Sequence, residues 1–349
     1  MEQVNNDYYN GDNARTVARE FGAKIVQIIG QRSNGKSFDI LKYILTRYKE
    51  DGVKSIYVRR WREDIKKTFM NTLFAKHDEN VRYYQGAFYY GEEREPFALT
   101  TSLSASEHFK GFTATEDYKI IFFDECFTKR RELPNEFDTW QEVLSTIVRN
   151  RDDVEVYMVG NTVKRTSCYF TEYNIDVRKL KKGSINQINV TDVDGNVLKI
   201  VCEWCMKNGK ASKNKSMYFV NRSGENMLSD GDFESSLRHT QELNGVDIGK
   251  WSVARRLPFA FMTGNDIIEL RVFNGVLLVK YGRKTKYNIS KKHIESNDGR
   301  QYPISFPFYT NSQGLRALQL NIKEMIKENQ FVAESVEIGE ILTEIIGGF

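Results

Sequence analysis

At 349 residues the chain is longer than one ordinary core accommodates, so two domains and a connector are expected. Hydrophobic residues at 40% suit a water-soluble globular protein, no run of about 18 apolar residues offers a membrane span, and the polar opening Met1–Asn13 argues against a secretory signal. Four irregularly spaced cysteines fit a reducing compartment rather than a disulfide framework, and a net charge of +4 does not by itself announce a nucleic-acid binder.

A lead-in helix is predicted over 8–22, ending at Gly22. The apolar run Lys24–Ile29 reads as a strand that breaks at Gly30. The stretch Gly30-Gln31-Arg32-Ser33-Asn34-Gly35-Lys36-Ser37 fits G-x-x-x-x-G-K-[ST]. Gly30 and Gly35 let the backbone turn tightly so that N–H groups cradle phosphate oxygens; Lys36 reaches the β- and γ-phosphates, and the Ser37 hydroxyl is a Mg²⁺ ligand. Phe38, Leu41, Ile44, Leu45 and Tyr48 recur at helical spacing, so a helix dipole points at the phosphates. These residues make an ATP and Mg²⁺ site.

Ser55–Val58 is a second buried strand ending in Arg59-Arg60. Strand carboxyl ends face the ligand crevice of a parallel sheet, which puts this pair near phosphates or a neighbouring subunit. The alternative is a solvated strand end running into a basic helix over Arg62–Lys67. Aromatic β segments fill 81–103, with turns at Gln85-Gly86 and Gly91, and Ser104–Asp117 reads as loop. Lys119–Glu125 is an apolar strand delivering Asp124 and Glu125 at its end. Asp124 joins Ser37 in the Mg²⁺ shell, and Glu125 orients the attacking water. A helix over 136–149 ends in Arg149-Asn150-Arg151. A strand over Val154–Val159 leads to Asn161 and Thr162, whose polar groups can sense the γ-phosphate, although Gly-Asn-Thr is also an ordinary turn.

Ile185–Val190 and Val197–Cys202 read as a hairpin around Asp194-Gly195-Asn196, closing an ATPase domain over 1–205. A linker over 206–250 is rich in lysine, with Lys207, Lys210, Lys213 and Lys215. The domain over 251–349 opens β-rich, with strands at Ile267–Phe273, Val276–Tyr281 and Lys286–Ile289, and closes in a helix over Ser312–Asn329. Asp266 and Glu269 are the only acids from 250 to 292, too few for two-metal cleavage. Cys202-Glu203-Trp204-Cys205 lacks a second ligand pair for a metal and is read as structural.

The order of Gly30–Ser37, Tyr57-Val58-Arg59-Arg60, Lys110-Gly111, Phe122-Phe123-Asp124-Glu125, Val148–Arg151 and a strand into Asn161 resembles the DNA-packaging ATPases of small tailed phages of the phi-29 type, relatives of the large terminases. The resemblance is specific over about residues 20–165. It implies an α/β P-loop domain of the additional-strand catalytic-glutamate class, RecA- or terminase-like, with an extra strand between those carrying the phosphate loop and Asp124. A smaller α+β domain resembling a degenerate RNase H-type nuclease comes after it. The resemblance also implies a homomeric ring of five subunits that packages double-stranded viral DNA through the capsid portal, with a scaffold RNA as a further partner, in the host cytoplasm. Arg149 is then a trans arginine finger, Arg32 acts in cis, Asn161 and Thr162 couple hydrolysis to movement, and Arg59, Arg60, Lys110, Lys129 and Arg130 are candidate trans or DNA contacts. Another ring-forming P-loop motor, a helicase or recombination ATPase, shares every ATPase residue named.

Overall fold

Strands covered on both faces read as unbroken apolar runs, and β1 (Ile25–Gly30) is buried at all its positions. The computed structural model describes residues 8–109, 117–128, 132–149, 151–161, 167–192, 194–206, 242–263, 266–282, 289–295, 301–305 and 312–343. Two compact units divide between Glu234 and Ser235.

The first unit is built on one sheet. Its order is β3 (Val81–Tyr84), β4 (Ala87–Tyr90), β5 (Ala98–Ser102), β2 (Lys54–Arg59), β6 (Tyr118–Asp124), β7 (Glu155–Asn161), β1, β9 (Val197–Trp204) and β8 (Ile185–Thr191). From β5 through β9 every pairing is parallel, and β3, β4 and β8 add antiparallel edges. The strand interposed between β1 and β6 is β7. It comes from sequence after Asp124, whereas the strands lying between Ser37 and Asp124 in the chain sit on the far side of β6.

Successive side chains of a strand point to opposite faces, which gives this sheet two cores. On one face Val26, Ile28, Ile120 and Phe122 meet α1 (Asp12–Phe21), α2 (Lys36–Asp51) and α3 (Lys67–Leu73), through Ala14, Ala18, Ile40, Ile44 and Met70. On the other, Ile25, Ile29, Ile121 and Phe123 meet α4 (Glu136–Val148) and α5 (Cys168–Glu172), through Trp140, Val143, Ile147, Tyr169 and Phe170.

The helix expected over Arg62–Lys67 does not form. Arg62–Asp64 makes a single 3-10 turn, and α3 begins at Lys67, where Met70 and Phe74 supply fully buried apolar anchors, whereas 62–67 offers only the partly buried Ile65. The stretch Ser104–Asp117, expected as loop, opens in 3-10 turns over Leu103–Phe109. The helix α5 went unread because its five residues are too few to show a period.

The second unit is a six-stranded sheet ordered β13 (Ile289–Glu295), β14 (Gln301–Ser305), β10 (Arg255–Thr263), β11 (Asp266–Phe273), β12 (Val276–Gly282) and β15 (Phe331–Ala333). Pairings are antiparallel except β12 with β15, which is parallel. The hairpin β11–β12 turns on Asn274 and Gly275, both at positive φ, as Asn-Gly favours. Two helices, α6 (Ser312–Lys327) and α7 (Val336–Leu342), bring Ile322, Ile326, Ile338 and Leu342 onto Phe261, Ile268, Leu270 and Leu277. Of the strand expected over Lys286–Ile289, residues 286–288 lie outside the described residues, and β13 is described from Ile289. Among the described residues no helix is long and apolar enough to cross a membrane.

Candidate nucleotide site

Parallel register brings the ends of four strands together. Gly30 of β1 stands beside Asn161 of β7, Asp124 of β6 beside Val159, and Val58 beside Phe123, which sets Arg59 next to Asp124. The phosphate loop leaves β1 here and enters α2 at Gly35, whose φ of 95° is a left-handed conformation that glycine adopts without cost. Gly30 is needed for another reason. A Cβ there would stand 3.0 Å from the Cβ of Cys205, so glycine admits the chain just after β9.

The Ser37 hydroxyl donates to Asp124 Oδ1 at 2.6 Å. The Tyr57 hydroxyl and the Arg59 guanidinium both donate to Asp124 Oδ2 at 2.9 Å. Lys36 is buried, its Nζ donating to the Gln31 carbonyl at 2.6 Å and reaching Asn161 Oδ1 at 3.5 Å. Burial pulls its pKa down to about 8, because desolvation disfavours the ammonium. Glu125 leaves the strand at φ 54°, a strained angle for a non-glycine residue costing about 1–3 kcal/mol, and its side chain is exposed. It accepts from Arg59 Nη2 at 3.0 Å. Gln31 is buried with neither its side-chain oxygen nor its nitrogen partnered. Arg32 and Ser33 are exposed on the loop.

These residues fit a magnesium nucleotide. Paired oxygen donors on Ser37 and Asp124 suit a hard divalent cation. A left-handed glycine, a buried lysine, an orphaned glutamine and a helix N-terminus suit polyphosphate.

The outward role expected of Arg59 and Arg60 is corrected. Both are buried, and Arg59 spans the two acids of its own chain. Arg60 donates Nε to Glu136 Oε2 at 2.7 Å and Nη2 to Glu136 Oε1 at 2.8 Å, leaving no surface to present to DNA. Sequence reasoning placed both at a strand end but could not see that Glu136 and the β6 acids lie in reach. Tyr57 was also missed, since its phenol reads as core until register aligns it with Phe122, two residues before Asp124.

Arg149 lies elsewhere. The strands β6 and β7 are parallel, so α4 between them runs back down the sheet. Its 13 residues carry Arg149 about 20 Å from the helix start, toward the opposite strand ends. Arg149 is exposed, at φ 50°. Arg151 donates to the Ile147 carbonyl at 2.7 Å and so caps the helix terminus. Lys110, Lys129, Arg130 and Thr162 lie outside the described residues.

Cys202 and Cys205 are free and buried; burial pushes Cys202 up to about 12 and Cys205 well above its ordinary value, against a reactive pair. In the second unit Glu269 faces Arg256 at 3.5 Å and Arg271 at 3.3 Å, so two guanidinium groups occupy its carboxylate.

A parallel sheet whose glycine-rich loop, buried lysine, acidic strand end and Asn161 converge at one crevice defines a phosphate-loop nucleotide-binding protein. The model of the podovirus DNA encapsidation protein (Gp16) family matches residues 5–194, and the chain belongs to that family. It is 27% identical over 160 residues to the DNA packaging protein of Bacillus phage phi29, covering 44% of this chain and 47% of that protein. Against the DNA packaging protein of Bacillus phage B103 the figures are 27% over 162 residues, 44% and 49%. The matched region spans about half the length of these curated relatives. In three dimensions the chain is similar to a chain of the bacteriophage Phi-29 viral genome packaging motor assembly, with TM-score 0.57 and 17% identity over 97% of this chain and 98% of the other, a likeness of fold.

Proposed function

We propose that this protein is an ATP-driven motor that packages double-stranded DNA into a preformed capsid. The observation carrying the proposal is the Ser37–Asp124 hydrogen bond of 2.6 Å, with Glu125 next in sequence, in a chain of the DNA encapsidation family. The loop from Gly30 to Ser37 binds ATP and Lys36 neutralises its terminal phosphates. Ser37 and Asp124 would hold Mg²⁺, which would supply positive charge to offset that of the terminal phosphates. Glu125 orients the attacking water and accepts its proton. Asn161, within reach of Lys36, senses the terminal phosphate. The exposed Arg149 acts on the site of a neighbouring subunit, which accounts for a cation so far down α4 from its own site.

Residues 1–205 form the ATPase domain, of the additional-strand class, and 206–250 the linker. Residues 251–349 form a vestigial nuclease-like domain that grips nucleic-acid phosphates with cations such as Lys280, their salt dependence arising from counterion release. The working form is a homomeric ring of five subunits on the procapsid portal in the host cytoplasm, with a scaffold RNA as an additional contact.

The test is ATP turnover against protein concentration, with and without double-stranded DNA. Specific activity should rise with concentration as rings assemble, and rise again with DNA. A constant specific activity indifferent to DNA would overturn the motor reading.

A further inference from the structure

We infer that Arg60 is a positioning residue that holds the backbone of Glu125 in its working conformation and ties it to α4. Arg60 is 4% exposed, and its guanidinium bonds in two directions. Toward α4 it forks onto both oxygens of Glu136, at 2.7 and 2.8 Å. Toward the acidic strand end it donates Nη1 to the Glu125 carbonyl at 3.2 Å and Nη2 to the Cys126 carbonyl. Glu125 has positive φ, a conformation that persists only where neighbours over-determine it. One of those neighbours is the backbone bond from Cys126 N–H to the Val159 carbonyl, at 3.0 Å. Arg60 supplies the rest, because a buried planar fork fixes two successive carbonyl oxygens at once.

Glu136 is in turn held rigid. It accepts from the Leu133 N–H at 2.8 Å and from the Tyr169 hydroxyl at 2.7 Å. A carboxylate buried against a helix start, with each oxygen doubly bonded, is a fixed anchor rather than a surface ion pair. Glu125 therefore takes its direction from a side chain just past the end of β2 and an anchor on α4, both of them buried. The inference rests on the reading of Glu125 as the water-orienting carboxylate.

Three variants of the full chain test it, with ATP turnover, KM for ATP and thermal stability measured on each. Arg60→Lys keeps the charge but cannot fork onto two carbonyls and a carboxylate together. Turnover should fall on the order of 10²-fold, the cost of misplacing a catalytic group by about 1 Å, with KM unchanged. Tyr173→Phe removes the acceptor of the Trp140 Nε1 hydrogen bond in the same core and no bond from Glu136 or the Glu125 segment. It should lower stability while leaving turnover near the wild-type value. Glu125→Gln is the reference. If it keeps full turnover, the role of Glu125 fails. If it is inactive while Arg60→Lys turns over normally, only the positioning role is overturned. Equal losses in Arg60→Lys and Tyr173→Phe also overturn it, as a general loosening of the core. Should Arg60→Lys fail to fold, Glu136→Gln carries the test, because it keeps the side chain's shape but loses one acceptor of the fork, and unchanged turnover there overturns the assignment.

Discussion

Arg59 holds Glu125 by a 3.0 Å bond while its other nitrogen holds Asp124 at 2.9 Å, so the carboxylate proposed to orient water is tethered by a cation of its own chain. The two contacts differ in strength. Asp124 is buried, and removing its partner would strand a desolvated charge. The Glu125 side chain is 57% exposed, where such a pair is worth about 0–1 kcal/mol, weak enough to release when nucleotide arrives. Arg59→Lys can keep the Asp124 contact but cannot span both acids. It should fold normally and raise DNA-free ATP turnover by up to about fivefold, the rate equivalent of that tether. A steady-state assay without DNA that finds no rise, or a fall, would remove the restraining role.

Lys36 sets a pH limit on nucleotide binding. Its pKa of about 8 without nucleotide must rise when phosphate approaches, so binding above pH 8 takes up a proton. Affinity should be flat between pH 7 and about 8 and then weaken, approaching about tenfold per pH unit. Stability without nucleotide moves the opposite way. Between about 8 and its ordinary 10.5, Lys36 binds more protons unfolded than folded, so its contribution to stability rises with pH across that window. Titration calorimetry in buffers of differing ionisation enthalpy would count the protons, and zero uptake at pH 9 would contradict the buried ammonium.

Gly160 couples packing to catalysis. A Cβ there would meet Phe127, with the Phe127 Cβ and backbone nitrogen both at 3.0 Å. Phe127 cannot yield easily, since its ring stacks on Phe170 at 4.6 Å inside the core. Gly160→Ala should therefore cost about 1–3 kcal/mol by overpacking, seen as a lower urea midpoint with unchanged slope. It should also lower turnover, because Asn161 is the very next residue. A variant as stable as the parent would show that the Phe127 segment can move aside.

Much of the nucleotide site was legible because its chemistry is local. Gly30–Ser37 is contiguous, and a strand ending in Asp124-Glu125 declares itself by an apolar run that stops at two acids. What could not be read was pairing across distance. That Tyr57 reaches Asp124, or that Arg60 meets Glu136 76 positions away, depends on which strands are neighbours, and the hydrophobic pattern of a buried parallel strand does not encode its neighbour. Arg59 and Arg60 thus read as a strand end near phosphates or a neighbouring subunit, or as a solvated one, whereas both are buried against acids of their own chain. The interposed strand shows the same limit: β7 reads plainly as a strand, but only the sheet order reveals it between β1 and β6.

The position of Arg149 separates a ring motor from a self-sufficient enzyme. The helix α4 carries it toward the sheet end opposite its own phosphate loop, about 20 Å from the helix start. If it completes a neighbour's site, Arg149→Ala should bind ATP well but lose about 10³-fold or more in turnover, as arginine fingers do. Glu125→Gln should be inactive for a different reason, lacking the carboxylate that directs water. Mixed together, the two inactive proteins should regain activity, because one interface in a mixed ring can pair an intact Glu125 with an intact Arg149. A monomer, or an arginine acting within its own chain, allows no such pairing, since each chain keeps its own lesion. The measurement is ATP turnover across mixing ratios, with subunit exchange verified by a fluorescent label on each variant. Activity should pass through a maximum at intermediate ratios, and a flat zero with exchange confirmed would count against the trans arginine and the ring together.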